Sequence, residues 1–143
     1  MVSLTEKIGL HDGGFIPLFG FGCWSMEQGP TYDAVARALK EGYRLIDTAQ
    51  CYKNEESVGK AIKDSGIPRD EIFVVTKLDP SKHGYEGVQE SLETSLGKLG
   101  LDHVDLFLIH TPMPGRVIDS WKGNFFLFYR FISLIQLKSC IYC

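Results

Sequence analysis

Apolar positions along the chain switch between two periods, and the switches mark its elements. Tyr43-Arg-Leu-Ile46, Ile72-Phe-Val-Val-Thr76 and Val104-Asp-Leu-Phe-Leu-Ile109 are short runs rich in branched and aromatic residues, the pattern of buried strands. Between them apolar residues recur at helical spacing: Ala34, Val35, Ala38 and Leu39, then Val58, Ala61 and Ile62, then Val88, Leu92, Leu96 and Leu99. The first set predicts a helix capped by Thr31 that runs through Glu41 and ends at Gly42. The second predicts a helix capped by Asn54, with Glu55 and Glu56 at its positive end and Gly66 as its stop. The third predicts a helix over about 85–99, and Asp119-Ser-Trp-Lys122 opens a fourth beyond the loop marked by Pro112 and Pro114. Nearer the start, Lys7–Leu10 and Phe15–Leu18 flank His11-Asp-Gly-Gly14, a hairpin signal. Leu18-Phe-Gly-Phe-Gly-Cys-Trp24 then reads as a glycine-interrupted strand. The expected order is a hairpin followed by β-α-β-α-β-α-β-(α), an α/β fold with a parallel sheet and right-handed crossovers.

Three of these strands end in a charged or titratable residue: Asp47, Lys77 and His110. The separations of 30 and 33 residues match the roughly 30 residues of one strand–helix–strand unit. Tyr52 follows five residues after Asp47, in a loop. In an α/β barrel the C-terminal strand ends form the rim where chemistry is done. Each residue alone has a duller explanation: Asp47 as a turn residue, Lys77 as a surface lysine, Tyr52 as loop packing, His110 as an edge histidine. It is the regular spacing that makes their coincidence informative.

Composition changes this picture little. The 143 residues suffice for one domain with a real core, and 44% apolar with 23% charged residues is ordinary for a soluble globular chain. A net charge of −3 gives no reason to expect nucleic acid or an acidic membrane as partner. The first seven residues hold no long apolar run, so no signal peptide is expected, and Cys23, Cys51, Cys140 and Cys143 form no disulfide framework. A reduced, cytoplasmic setting is the simplest expectation. Cys140-Ile-Tyr-Cys143 lacks a second pair or a nearby histidine, so it reads as incidental, and no metal site is expected. From Gly123 the chain becomes mostly apolar without a clean helical stripe. It is interrupted by Arg130 and is shorter than the ~20 apolar residues of a membrane span. The expected division is therefore 1–122 as the functional unit and 123–143 as a divergent apolar tail.

The stretch Gly42-Tyr-Arg-Leu-Ile-Asp47-Thr-Ala-Gln-Cys-Tyr52-Lys-Asn-Glu-Glu-Ser-Val-Gly59 resembles the signature of the aldo-keto reductases, and the likeness covers about residues 5–122. Asp-Thr-Ala followed by Tyr-Lys-Asn-Glu-Glu is most similar to the glyoxal, methylglyoxal or diketogluconate reductase branch. The resemblance implies a (β/α)8 barrel with a hairpin plugging its floor, of which this chain holds the hairpin and the first four βα units. It implies reduction of aldehydes and ketones to alcohols with NADPH, and a catalytic set of Asp47, Tyr52, Lys77 and His110. Gly22, Cys23, Trp24 and Asp47 fall where the family approaches the nicotinamide. Trp24, Tyr52 and His110 fall where it meets its small carbonyl substrate. Cys23 stands where Thr or Ser is usual, Asp79 follows Leu78 in place of Trp, and Thr111 follows His110 in place of Trp.

The chemistry asked of the set is consistent with its members. Hydride delivered to a carbonyl carbon leaves negative charge on oxygen, which must be protonated as it forms. A phenol alone is a weak acid at neutral pH, and a nearby ammonium stabilises its phenolate. Asp47 can hold Lys77 in place, and His110 can orient the carbonyl. A barrel of this type takes about 250 residues, so four more strands and most of the family's cofactor contacts are expected to lie outside this sequence. The chain is accordingly expected to be a C-terminally truncated form with impaired cofactor binding and little activity alone. The alternative is a non-catalytic form that acts through protein contacts, including self-association at exposed strand edges. A membrane-attached tail is the weakest reading.

Overall fold

In the computed structural model, residues 3–10, 13–112 and 115–131 are described, the last seven by backbone alone. Two short strands, β1 (Lys7–Gly9) and β2 (Phe15–Pro17), pair antiparallel with Ile8 opposite Ile16. The hairpin expectation holds, although two of its turn residues, 11 and 12, lie outside the described residues. Four strands then form one parallel sheet in chain order: β3 (Phe21–Gly22), β4 (Leu45–Asp47), β5 (Phe73–Leu78) and β6 (Leu106–Ile109). Each is followed by a helix: α1 (Gln28–Lys40), α2 (Glu55–Asp64), α3 (Tyr85–Leu99) and α4 (Val117–Phe131).

The core lies between the helices and the outward face of the sheet. Val35 and Leu39 of α1, Val58, Ala61 and Ile62 of α2, and Val88, Leu92, Leu96 and Leu99 of α3 pack on Ile46, Val74, Leu78 and Phe107. Every residue assigned to those helical stripes except Ala34 is buried. Truncating one of the wholly buried leucines, such as Leu92, costs about 2–5 kcal/mol. Gly59 in the signature has a packing reason: a Cβ there would overlap the carbonyl of Leu99, where α2 crosses the end of α3. Gly42 sits at φ +101°, a conformation that suits glycine alone, and turns the chain from α1 into β4.

Several boundaries differ from expectation. α1 begins at Gln28, so Thr31 lies inside the helix, where its hydroxyl donates back to the Glu27 carbonyl at 2.6 Å instead of capping. Asn54 does occupy the position before α2, but its amide makes no cap bond. It is spent on tertiary contacts described below. β5 extends to Leu78, so Lys77 stands within the strand and not after it. α4 runs through Gly123 to Phe131, so the compositional change there falls inside a continuous helix. At Gly123 that helix comes close enough to the start of α3 that a Cβ would lie 2.6 Å from the Tyr85 carbonyl oxygen. The Cys140–Cys143 pair and the rest of the tail from 132 lie outside the described residues. No helix among the described residues is long and apolar enough to cross a membrane.

Candidate functional site at the strand ends

β4 delivers Asp47 at its last position, beside Gly22 of β3 and Val75 of β5. Strand alternation then sorts β5. Thr76 turns outward and its hydroxyl bonds the buried carboxylate of Glu55 on α2, while Lys77 turns to the opposite, inner face. There its ammonium donates to Asp47 Oδ1 at 2.6 Å, to the Thr48 carbonyl at 2.9 Å and to the Tyr52 hydroxyl at 3.3 Å. All three ammonium protons are engaged. The Lys77 side chain is 11% exposed and that of Asp47 is 39% exposed, so the pair is anchored on one side and open on the other.

Tyr52 is placed by a single 3₁₀ turn, Gln50–Tyr52, that closes through Lys53 in the left-handed region. Buried Gln50 accepts a hydrogen bond from Ser91 of α3 and ties this turn to the helix layer. Asn54, wholly buried, holds the other side. Its amide nitrogen donates to the carbonyls of Cys23 (2.8 Å) and Met26 (3.1 Å), and its oxygen accepts from the Thr48 hydroxyl at 2.8 Å. One side chain thus staples the loop after β3 to the loop after β4. His110 directly follows β6. Its ring stands edge-on to Tyr52 with centroids 5.5 Å apart, and its Nε2 lies 3.5 Å from the Tyr52 hydroxyl. Its Nδ1 lies 3.3 Å from the Cys51 sulfur.

Asp47, Tyr52, Lys77 and His110, expected on one rim, therefore form one connected cluster. Trp24, two residues past the end of β3, is 75% exposed and so takes no part in the core. Gly22 is exposed, with nothing within 4 Å of where a Cβ would stand. Cys23 requires a correction: it is wholly buried in the core and presents no surface to a ligand. Burial, reinforced by Asp47, pushes its thiol up to about 12. Burial, with the Lys77 charge, lowers the pKa of His110 against the opposing pull of Asp47 and Asp79, which favours the neutral ring. Cys51, an exposed thiol, is raised by partial burial and by Asp79. Sequence reasoning missed Cys51 and the stapling role of Asn54. Cys51 had no signal beyond its place next to Tyr52, and Asn54 carries the residue type of a helix cap.

A parallel α/β sheet with an ammonium, a carboxylate, a phenol and an imidazole joined at its C-terminal rim has the layout of a barrel oxidoreductase. The model of the Aldo/keto reductase family matches residues 18–122, and the chain belongs to that family. It is 52% identical over 108 residues to the glycerol 2-dehydrogenase (NADP(+)) of Saccharomyces cerevisiae, an overlap of 76% of this chain and 34% of the relative. It is 44% identical over 122 residues to the glyoxal reductase of Bacillus subtilis, 85% of this chain and 44% of the relative. The crystal structure of an aldo/keto reductase from Brucella melitensis superposes with a TM-score of 0.86 at 46% identity, over 90% of this chain and 50% of that one. The chain spans less than half the length of these curated relatives. Its four βα units accordingly form part of a (β/α)8 barrel.

Proposed function

We propose that this rim serves an NADPH-dependent reduction of aldehydes or ketones to alcohols. The observation that carries the reading is the simultaneous engagement of the Lys77 ammonium by Asp47, Thr48 and Tyr52. The residues suit the nicotinamide end of such a cofactor. Asp47 keeps a partly exposed carboxylate, Gly22 leaves open space, and Trp24 offers an exposed indole face. When bound, the reduced nicotinamide supplies hydride. Tyr52 gives its proton to the oxygen on which charge develops, a role worth about 10²–10⁴ in rate. Lys77 stabilises the phenolate left behind, and Asp47 fixes Lys77 by the 2.6 Å bond. His110 presents Nε2 to the carbonyl oxygen and aligns it with Tyr52.

The 143-residue chain by itself is expected to turn over little, because most cofactor contacts implied by the resemblance belong to sequence outside it. The reading is therefore tested in a chimera. Residues 1–122 of this chain replace the matching segment of the Bacillus subtilis glyoxal reductase, and NADPH consumption is followed with glyoxal. Turnover near that of the parent supports the assignment, and a folded but inert chimera refutes it. A different reading draws on the sheet, in which β3 and β6 each have one strand neighbour among the described residues. Association through those edges would show as a stable dimer in size-exclusion chromatography.

A further inference from the structure

Cys51 is a polar neighbour of the rim that the family chemistry does not use. Its sulfur lies 3.3 Å from Nδ1 of His110, the ring nitrogen facing away from Tyr52. The direction of the hydrogen bonds around it can be followed from Lys77 outward. A lysine ammonium has no acceptor, so the Tyr52 oxygen accepts from Lys77 at 3.3 Å. Two arrangements remain for the ring. If Nδ1 carries the proton, Nε2 is a bare acceptor, and it draws the Tyr52 proton toward the imidazole and away from the open rim. If Nε2 carries it, the ring can donate to the Tyr52 oxygen or to a carbonyl beside it, and Tyr52 keeps its own proton free for transfer. A neutral imidazole takes whichever tautomer its other nitrogen's partner imposes.

We propose that Cys51 is a positioning residue: its thiol donates to Nδ1 of His110 and holds the ring as the Nε2–H tautomer that aims a donor at the rim. The surroundings favour it. The thiol is a donor only while protonated, and partial burial together with Asp79 keeps it so. The charged groups acting on the ring are Lys77, Asp47 and Asp79, and with partial burial their balance leaves it neutral. Cysteine is a weak donor, so its effect is a bias in tautomer population and not an anchor. The catalytic consequence rests on the proposed reduction, but the tautomer itself does not, and can be measured without turnover.

The test is long-range ¹H–¹⁵N spectroscopy of the histidine rings in the ¹⁵N-labelled 143-residue chain, near neutral pH, with His110 signals assigned by their loss in His110→Gln. The wild type is expected to show an unprotonated Nδ1 and a protonated Nε2. In Cys51→Val the two nitrogen shifts should move toward one another as the tautomers mix, and in Cys51→Ser, which restores a donor, they should separate again. His83 and His103 signals that stay in place certify the fold of each variant. A protonated Nδ1 in the wild type overturns the proposal. So does a valine variant indistinguishable from wild type, or a serine variant indistinguishable from valine. Failure of the glyoxal chimera would leave these outcomes untouched, so the two readings fail separately.

Discussion

The two ends of the sheet each carry a basic–acidic pair of similar length, and they are built to different purposes. At the N-terminal end, Arg69 contacts Asp105 at 2.7 Å, and the rest of its bonding closes on backbone: the carbonyls of Ile72 and His103. Asp105 in turn accepts from the Val74 amide at 2.8 Å. Both side chains are mostly buried, 20% and 15% exposed, next to a groove of about 320 Å³ between the hairpin and the strand starts. This pair pins β5 to β6. At the C-terminal end, Lys77 and Asp47 meet at 2.6 Å, but their third partner is the ionisable Tyr52, and the carboxylate stays partly open. An ion pair that ends on backbone amides and carbonyls holds a fold together, whereas one that ends on a phenol beside an open rim can move a proton.

The sharpest way to break the contrast is at Tyr52. In the chimera, Tyr52→Phe should lower kcat by roughly 10²–10⁴ with an unchanged melting temperature. An active phenylalanine variant would reduce the rim cluster to packing. Next comes stability at the other end. Arg69→Met strands a mostly buried carboxylate and should cost about 3–5 kcal/mol by denaturant titration. Lys77→Met should cost clearly less, because Asp47 is 39% exposed and reaches water. Asn54→Ala, which unpins two carbonyls and a hydroxyl, should cost about 1–3 kcal/mol. It should also raise KM for NADPH in the chimera, since the freed loop carries Trp24 and begins directly after Gly22.

Much of the fold and of the rim cluster was legible in the sequence, but not the clamp at the other end, and the reasons are specific. The stripes of α2 and α3 could be read because each faces a sheet on one side only. Asp47, Lys77 and His110 could be placed together because parallel βα units repeat at a nearly fixed length, whatever the loops between them do. The details that failed depend on tertiary partners. Thr31 and Asn54 are cap formers by residue type, but the Glu27 carbonyl and the Cys23–Met26 loop claim their side chains. The resemblance places Cys23 beside the cofactor, yet just past the end of β3, where its amide bonds the Asp47 carbonyl, its side chain packs into the core. The Arg69–Asp105 clamp joins residues 36 apart with no sequence motif to announce it.

Two pH effects sharpen the comparison further, the larger first. The Cys23 thiol is raised to about 12 in the fold against an ordinary 9.0. Its contribution to stability is therefore complete below pH 9 and is lost as the pH rises from there toward 12, as the unfolded chain ionises first. Denaturant midpoints should fall over that range in the wild type, and less in Cys23→Ala. His110 is lowered, so the unfolded chain takes up its proton first as pH falls. Its contribution is present above the ordinary histidine value of about 6.5 and declines below it. The ring is only partly buried, so the slope should be small, and it should vanish in His110→Gln.

The central claim is that the Lys77 pair acts on a proton while the Arg69 pair acts on the fold. It is tested most directly by the kcat of glyoxal reduction, per folded molecule, in chimeras carrying Lys77→Met or Arg69→Met. The expected result is a loss of about 10²-fold or more for the first and a value within about twofold of the parent for the second. Equal losses in the two, or an unimpaired Lys77→Met, would contradict it.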